Sequence, residues 1–401
     1  MTNLINRYIA KEVIIPFFLG IGIFTIILLM DKIVKLIELV VSKGVKLSEV
    51  ISLIIYILPS FMVITIPMAF LLAVLLAFGR LSTDEEITAL KSSGVGLYQM
   101  MPPVIVLSLI AFTISLFLMM YALPWGNHSF KTKIFNIVKR KADTEIIPGR
   151  IIDSFKGMVM YVSDYDKSSG LYKGVILSER ERGSSEKTVI AKEGEFITRQ
   201  DNFSVILRLY DGSVHSEGDR KSLKYNIVNF KTYDITLSMG IDKNVTLEAP
   251  KGDRELNITE LFDKSQKLKA QGKRYEYLMV ELHKKFSIPF ACIVFALIGA
   301  PLGIKGRRSG KAYGFLVSLI IITIYWICLL WGETLGDRGQ IPPFFSMWTP
   351  NILFFALGLL ILKKANGDSE ILVLSLFENL YIYIADSLKS IFKQRREENR
   401  D

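Results

Sequence analysis

The sequence predicts an α-helical membrane protein with six transmembrane helices, arranged three and three around one inserted all-β domain. Three observations predict it. Six stretches carry no charged residue, and each is about 18 residues or longer, enough to cross hydrocarbon at the helical rise. Residues 131–285, between the third and fourth stretches, are mostly polar. Inside that block, short runs rich in Val, Ile, Tyr and Phe alternate with turn signals.

The uncharged stretches are Val13–Met30, Val50–Phe78, Ser92–Phe130, Phe286–Ile304, Ala312–Gly332 and Ile341–Leu362. The third is longer than one span needs, so the spanning helix is expected to fill only part of it. Pro59, Pro67, Pro102, Pro289 and Pro301 would be costly in soluble helices, but membrane helices tolerate them where neighbours satisfy the freed carbonyls. Arg7 and Lys11 precede a first span too long for a cleaved signal peptide, as in an uncleaved anchor.

Orientation follows from Lys and Arg in the short loops. Lys305, Arg307, Arg308 and Lys311 lie between spans four and five with no acid, and Lys363 and Lys364 follow span six. The loop between spans five and six has only Arg338, beside Glu333 and Asp337. Both termini and the 305–311 loop are therefore expected in the cytoplasm, with the large domain outside. Lys32, Lys35, Lys43 and Lys46 run against this pattern.

In the inserted domain, strands are expected at Met158–Val162, Gly174–Leu177, Thr188–Ala191, Phe203–Tyr210, Ser213–Ser216 and Tyr225–Thr236. Lys156-Gly157, Ser169-Gly170, Glu193-Gly194 and Asp211-Gly212 are the turn signals. Asp211-Gly212 predicts a hairpin with a type I′ turn. Strands at this spacing fit a sandwich, a jelly roll or an open barrel. Ile134–Lys141 reads as the third span's helix continuing outward, and Ile258–Lys269 as a helix with Thr259 as its N-cap.

Between spans two and three, Ser82 or Thr83 can cap a short helix whose first turn holds Asp84, Glu85 and Glu86 and which Gly94 can end. Such a helix is either a solvated connector or a partner-binding element. The tail beyond Lys364 has an apolar stretch, Ile371–Leu388, with Ser375, Glu378, Asn379 and Asp386 as a polar stripe, which fits a helix lying in the membrane interface.

Much chemistry is excluded. Gly310-Lys311 is followed by Ala312, and Gly306 is too close for a phosphate-binding loop. His128, His215 and His283 are scattered, and Cys292 and Cys328 lie within spans, so no metal cluster or outer-domain disulfide is expected. The net charge of +10 is spread without an aromatic-interleaved cluster, which argues against nucleic acid. Acids and lysines are nearly missing from the span centres, so energy for any transport is expected from another subunit. Lys32 and Lys35, at the outer end of span one, either snorkel to the interface or pair with an anionic lipid headgroup.

Two stretches carry a family resemblance. One is Gly79-Arg80-Leu81 through Glu86-Ile87-Thr88-Ala89-Leu90-Lys91-Ser92-Ser93-Gly94. The other starts at Leu282-His283-Lys284-Lys285-Phe286 and runs through Gly299-Ala300-Pro301-Leu302-Gly303 to Trp348-Thr349-Pro350-Asn351. They resemble the LptF/LptG (YjgP/YjgQ) lipopolysaccharide export permeases, and Arg7-Tyr8 with Lys11-Glu12 is closer to the LptF side.

The resemblance implies a non-catalytic permease subunit of an ABC-type exporter in the bacterial inner membrane. Residues 1–130 and 286–364 would hold the spans, 131–285 a periplasmic β-jellyroll, and 365–401 a cytoplasmic interfacial tail. The helix at about 82–93 would be a coupling helix, with Arg80, Glu85 and Glu86 meeting an LptB-like ATPase dimer. Other implied partners are a second permease subunit, an LptC-like bridge protein and lipopolysaccharide, whose headgroup would meet Lys32 and Lys35. No cofactor is implied in this chain; ATP and Mg would sit on the ATPase. The rival readings are an exporter of another amphiphile, such as a lipoprotein, and a non-transporting membrane scaffold with a periplasmic binding domain.

Overall fold

The computed structural model describes residues 2–43, 45–145, 148–152, 158–166, 168–179, 187–199, 204–217, 225–237, 252–305 and 310–366. The tail beyond Asn366 and the Lys156-Gly157 turn signal lie outside them. The helices are α1 (Thr2–Lys43), α2 (Leu47–Thr83), α3 (Glu86–Ser92), α4 (Leu97–Phe117), α5 (Leu123–Glu145), α6 (Ile258–Ala270), α7 (Glu276–Lys305), α8 (Gly310–Asp337) and α9 (Pro343–Asn366). The strands are β1 (Ile151–Ile152), β2 (Met158–Asp166), β3 (Leu171–Glu179), β4 (Lys187–Arg199), β5 (Ser204–Glu217) and β6 (Tyr225–Leu237).

Among the described residues, six helical runs are long and apolar enough to cross a membrane: Leu4–Ile37, Leu47–Thr83, Leu97–Ile137, Glu276–Ile304, Gly314–Asp337 and Pro343–Ala365. The third differs from expectation. Helix runs unbroken from Leu97 to the end of the uncharged stretch and beyond it, because α4 continues through a π-helical turn at Leu118–Ala122 directly into α5. One wide turn absorbs the extra length without a break.

The chain forms two compact units. The first comprises the described residues among 1–30, 58–124 and 256–401. Its core joins Ile9, Phe70, Phe78, Leu97, Phe295 and Tyr325, and α7 packs against α4, α6, α8 and α9. Small residues let these backbones meet. A Cβ on Gly303 of α7 would come within 2.9 Å of the Leu75 carbonyl of α2, and one on Gly332 of α8 within 2.0 Å of the Ser346 carbonyl of α9. Several buried polar groups are paired across helices. Asn351 donates to the Ser287 carbonyl at 2.9 Å and to Ser287 Oγ at 2.8 Å, and accepts from the Tyr325 hydroxyl at 3.1 Å. Lys284 Nζ meets Glu333 Oε1 at 2.6 Å.

The second unit comprises residues 31–57 and 125–255. Its six strands form one antiparallel sheet in the order β1-β2-β3-β4-β5-β6. Among the described strands every sheet neighbour is also a chain neighbour, so these strands form a meander, with no jelly-roll crossover among them. Alternation sorts the two faces. Met160, Val162, Val175, Leu177, Val189, Leu207 and Leu209 are buried, whereas Val159, Ile176 and Ile190 point outward and are exposed. The inner face packs on Phe130, Ile134, Phe135 and Ile137 of α5 and on Leu36, Val50 and Leu53. Lys131 Nζ and Glu255 Oε1, both buried, pair at 2.6 Å.

The Asp211-Gly212 hairpin is corrected. β5 runs straight through that pair, and one register holds on both sides of it: Tyr210↔Thr232 and Gly212↔Phe230 with β6, Glu193↔Tyr210 and Ala191↔Gly212 with β4. Asp211 takes φ +47°, a kink without an inserted residue. Gly212 serves close approach: a Cβ there would sit 2.3 Å from the Ile190 carbonyl. Glu193-Gly194 likewise lies within β4. Ser169-Gly170 is a true turn, with Gly170 at φ +72° and Ser168 N–H donating to Asp166 Oδ1 at 2.9 Å.

Candidate functional site

The expected surface helix between the second and third spans exists, but it starts later than Ser82 or Thr83. Those residues finish α2. Thr83 Oγ1 donates to the Gly79 carbonyl at 2.9 Å and Ser82 Oγ to the Ile304 carbonyl at 2.5 Å, and the N-cap position of the following helix falls to Glu85. Asp84 and Glu85 form the turn, Glu85 at φ +61°, and its carbonyl accepts from Ala89 N–H at 3.0 Å. A non-glycine residue there costs about 1–2 kcal/mol, so the surroundings must hold the turn. Of the three acids, only Glu86 stands in the first helical turn.

The other end matches expectation. Gly94, at φ +84°, donates to the Lys91 carbonyl at 3.0 Å, and Val95 N–H donates to the Leu90 carbonyl at 2.9 Å. This double closure stops a helix at a left-handed glycine. Ile87 is buried and anchors α3 to the bundle, while Asp84, Glu85, Thr88 and Ala89 are exposed.

Arg80 and Glu86 are brought together with two residues of α1 that the motif reading did not assign a role. Arg80 Nη1 pairs with Glu12 Oε2 at 2.7 Å, and Arg80 Nε reaches Asp84 Oδ2 at 3.4 Å. The Tyr8 hydroxyl donates to Glu86 Oε1 at 3.0 Å. The signal available in the sequence was the four-residue spacing of Tyr8 and Glu12, which puts both on one helix face. Between the start of α1 and α3 lies an open cleft of about 320 Å³, lined by Leu4, Ile5, Tyr8, Glu86, Leu90 and Ser93.

Lys32 and Lys35 belong to the other unit. Lys35 Nζ pairs with Asp31 Oδ2 one turn earlier at 3.0 Å, and Lys32 is half-buried. A larger groove of about 730 Å³, with Phe262, Lys269, Tyr275, Met279, His283 and Phe344 in its wall, lies among α6, α7 and α9. Among the described residues no three His, Cys, Asp or Glu side chains are grouped to hold a metal.

The fold and this surface define a class: a six-span membrane protein with an inserted β domain and a short charged helix exposed between its second and third spans. The family model for the lipopolysaccharide export system permease LptF/LptG matches residues 7–364, and the chain belongs to that family. It is 20% identical over 360 residues to the lipopolysaccharide export system permease protein LptF of Escherichia coli (strain K12), covering 89% of this chain and 94% of that protein. The LptF protein of Shigella flexneri matches to the same extent. An uncharacterized protein of Rickettsia prowazekii (strain Madrid E) is 20% identical over 327 residues, covering 81% of this chain and 88% of its own length.

Proposed function

We propose that this chain is a permease subunit of a lipopolysaccharide exporter, the LptF-like half of a two-permease core. The observation that carries this reading is the family match over residues 7–364, which takes in both membrane halves, α3 and the inserted domain. It favours lipopolysaccharide over a lipoprotein cargo or a passive scaffold. The chain is a non-catalytic transport subunit.

The finer assignments extend that reading. Lipopolysaccharide leaves the inner membrane through the bundle and passes to an LptC-like bridge protein by way of the periplasmic β domain. The apolar inner face around Val162, Leu177 and Leu209 suits acyl chains that must stay dry. Lys32 and Lys35 meet headgroup phosphates. Both termini, the 365–401 tail and α3 lie on the cytoplasmic side, where an LptB-like ATPase dimer carries ATP and Mg. Arg80, Glu85 and Glu86 form the contact with it, and an exposed helix anchored by one buried apolar residue supports that role.

The test is Glu86→Lys in the chain co-expressed with its partners. The expected outcome is loss of the ATPase on purification, with the permease pair still assembled. An ATPase that stays bound, together with normal lipopolysaccharide release, would return α3 to a solvated connector.

A further inference from the structure

We propose that Tyr8 and Glu12 are positioning residues that tie α3 to the start of α1, so that the two move as one body when the ATPase moves α3. The proposal rests on the reading of α3 as the ATPase-contact helix.

α3 needs outside support. Its seven residues fall well below the length at which a helix holds itself in water. Its N-cap residue makes no side-chain cap and sits in a left-handed conformation, and only a short turn joins it to α2. Left to itself, that turn would act as a hinge.

Tyr8 and Glu12 span the hinge from a third element. Glu12 holds Arg80 before the turn, Arg80 reaches Asp84 within it, and Tyr8 holds Glu86 just after it. The Glu12 side chain is 15% exposed and that of Arg80 47%, so water screens the pair from the Arg80 side only. The Tyr8 hydroxyl engages Oε1 of Glu86 and so sets the direction of the carboxylate that faces the ATPase.

A cleft of about 320 Å³ lies between the first turns of α1 and α3, and the Tyr8–Glu86 contact lines it. The first span buries 22% of its apolar window within this chain, against 83% for the span in α7, so it has less packing of its own to resist a pull from α3. Movement of α3 then reaches the first span directly.

The test uses the complete exporter, purified with its co-expressed partners and reconstituted in lipopolysaccharide-containing vesicles. Tyr8→Phe and Glu12→Gln are compared with wild type for ATPase retention, ATP turnover and lipopolysaccharide release. The expected result is a bound ATPase, ATP turnover largely preserved, and release per ATP reduced about five-fold or more. A purely local stabilising role would lower both rates together. An unchanged ratio in both variants, or loss of the ATPase from both, overturns the proposal. A second measurement joins Leu4→Cys and Ser93→Cys across the cleft with a short bifunctional thiol reagent. Helices that move as one body keep exporting when locked, and arrest on locking overturns the proposal. Glu86→Lys separates the two claims. If it releases the ATPase while the Tyr8 and Glu12 variants keep a normal ratio, the positioning role alone fails; if it leaves binding and release intact, the contact reading fails with it.

Discussion

In the helical unit Asn351 is 1% exposed and joins Ser287 and Tyr325 in a buried polar cluster, while apolar side chains such as Leu353, Leu360 and Ile352 of the same helix point outward. Across the strands of the other unit the charged pairs stand outside instead, although Lys131 and Glu255 pair in the interior of that unit. The buried positions are Val162, Leu177 and Leu209, and the charged pairs Arg208–Asp234 and Lys173–Asp166 stand on exposed positions. The difference reflects the solvent each region is built for. Lipid is as apolar as leucine, so helices find one another through small residues, close contacts and interhelical hydrogen bonds. Water rewards burial of one sheet face, and polar groups gain little by leaving it.

Leu177→Ala tests the sheet side of the contrast and carries the largest expected effect. Leu177 is fully buried, and the truncation should cost about 3 kcal/mol through lost transfer energy and the cavity left behind. The measurement is denaturant unfolding of the purified chain, followed by its β-sheet circular dichroism. A loss below about 1 kcal/mol would mean that the inner face is not a packed core.

Asn351→Leu tests the helical side. It removes two donated hydrogen bonds to Ser287 and the acceptor for Tyr325, and should cost about 2 kcal/mol because the remaining polar groups stay buried. The thermal midpoint in detergent reports it. A stabilised variant would show that apolar packing, not the polar cluster, sets the α7–α8–α9 arrangement.

The exposed pairs give the smallest effects. Hydrogen bonds from Ser168, then Lys173, hold the Asp166 carboxyl well below the ordinary aspartate value of 3.8, and Asp234 raises the Arg208 guanidinium further. For a depressed acid the stabilisation is complete above the unfolded value and is lost as pH falls through the lower folded value. The gap in thermal midpoint between wild type and Asp166→Asn should therefore be constant above about pH 4 and close as the pH falls further. Arg208→Ala should lower the midpoint only slightly, by an amount that added salt erases. A large effect from either would contradict the view that the sheet is held from its inner face.

Much of the architecture was legible because it rests on composition and period. The uncharged stretches became the six spans, and β2, β3, β4 and β6 formed where β-branched and aromatic runs stood. Gly94 stopped α3 as read, since a left-handed C-terminal residue is a local demand that glycine meets. Asp211-Gly212 misled because the same glycine can serve a turn or a close approach, and only the carbonyl of Ile190 on the neighbouring strand decides between them. Ser82 misled because α2 runs on through it to Thr83 and the N-cap position of α3 falls to Glu85. Arg80 and Glu86 were legible as part of a motif, whereas their partners Glu12 and Tyr8 lie in another span and no spacing rule links them.

The amino-acid sequence by itself determined what each segment must avoid or seek: six segments shun water, one block alternates, and one charged turn separates two apolar helices. Those are properties of a residue and its near neighbours along the chain. Only the tertiary structure decided which glycines permit contact, which carbonyl on α7 the Ser82 hydroxyl meets, and that Tyr8 and Glu12 close on α3. Each of those depends on which atoms arrive from a distant segment, and short-range order carries no record of that.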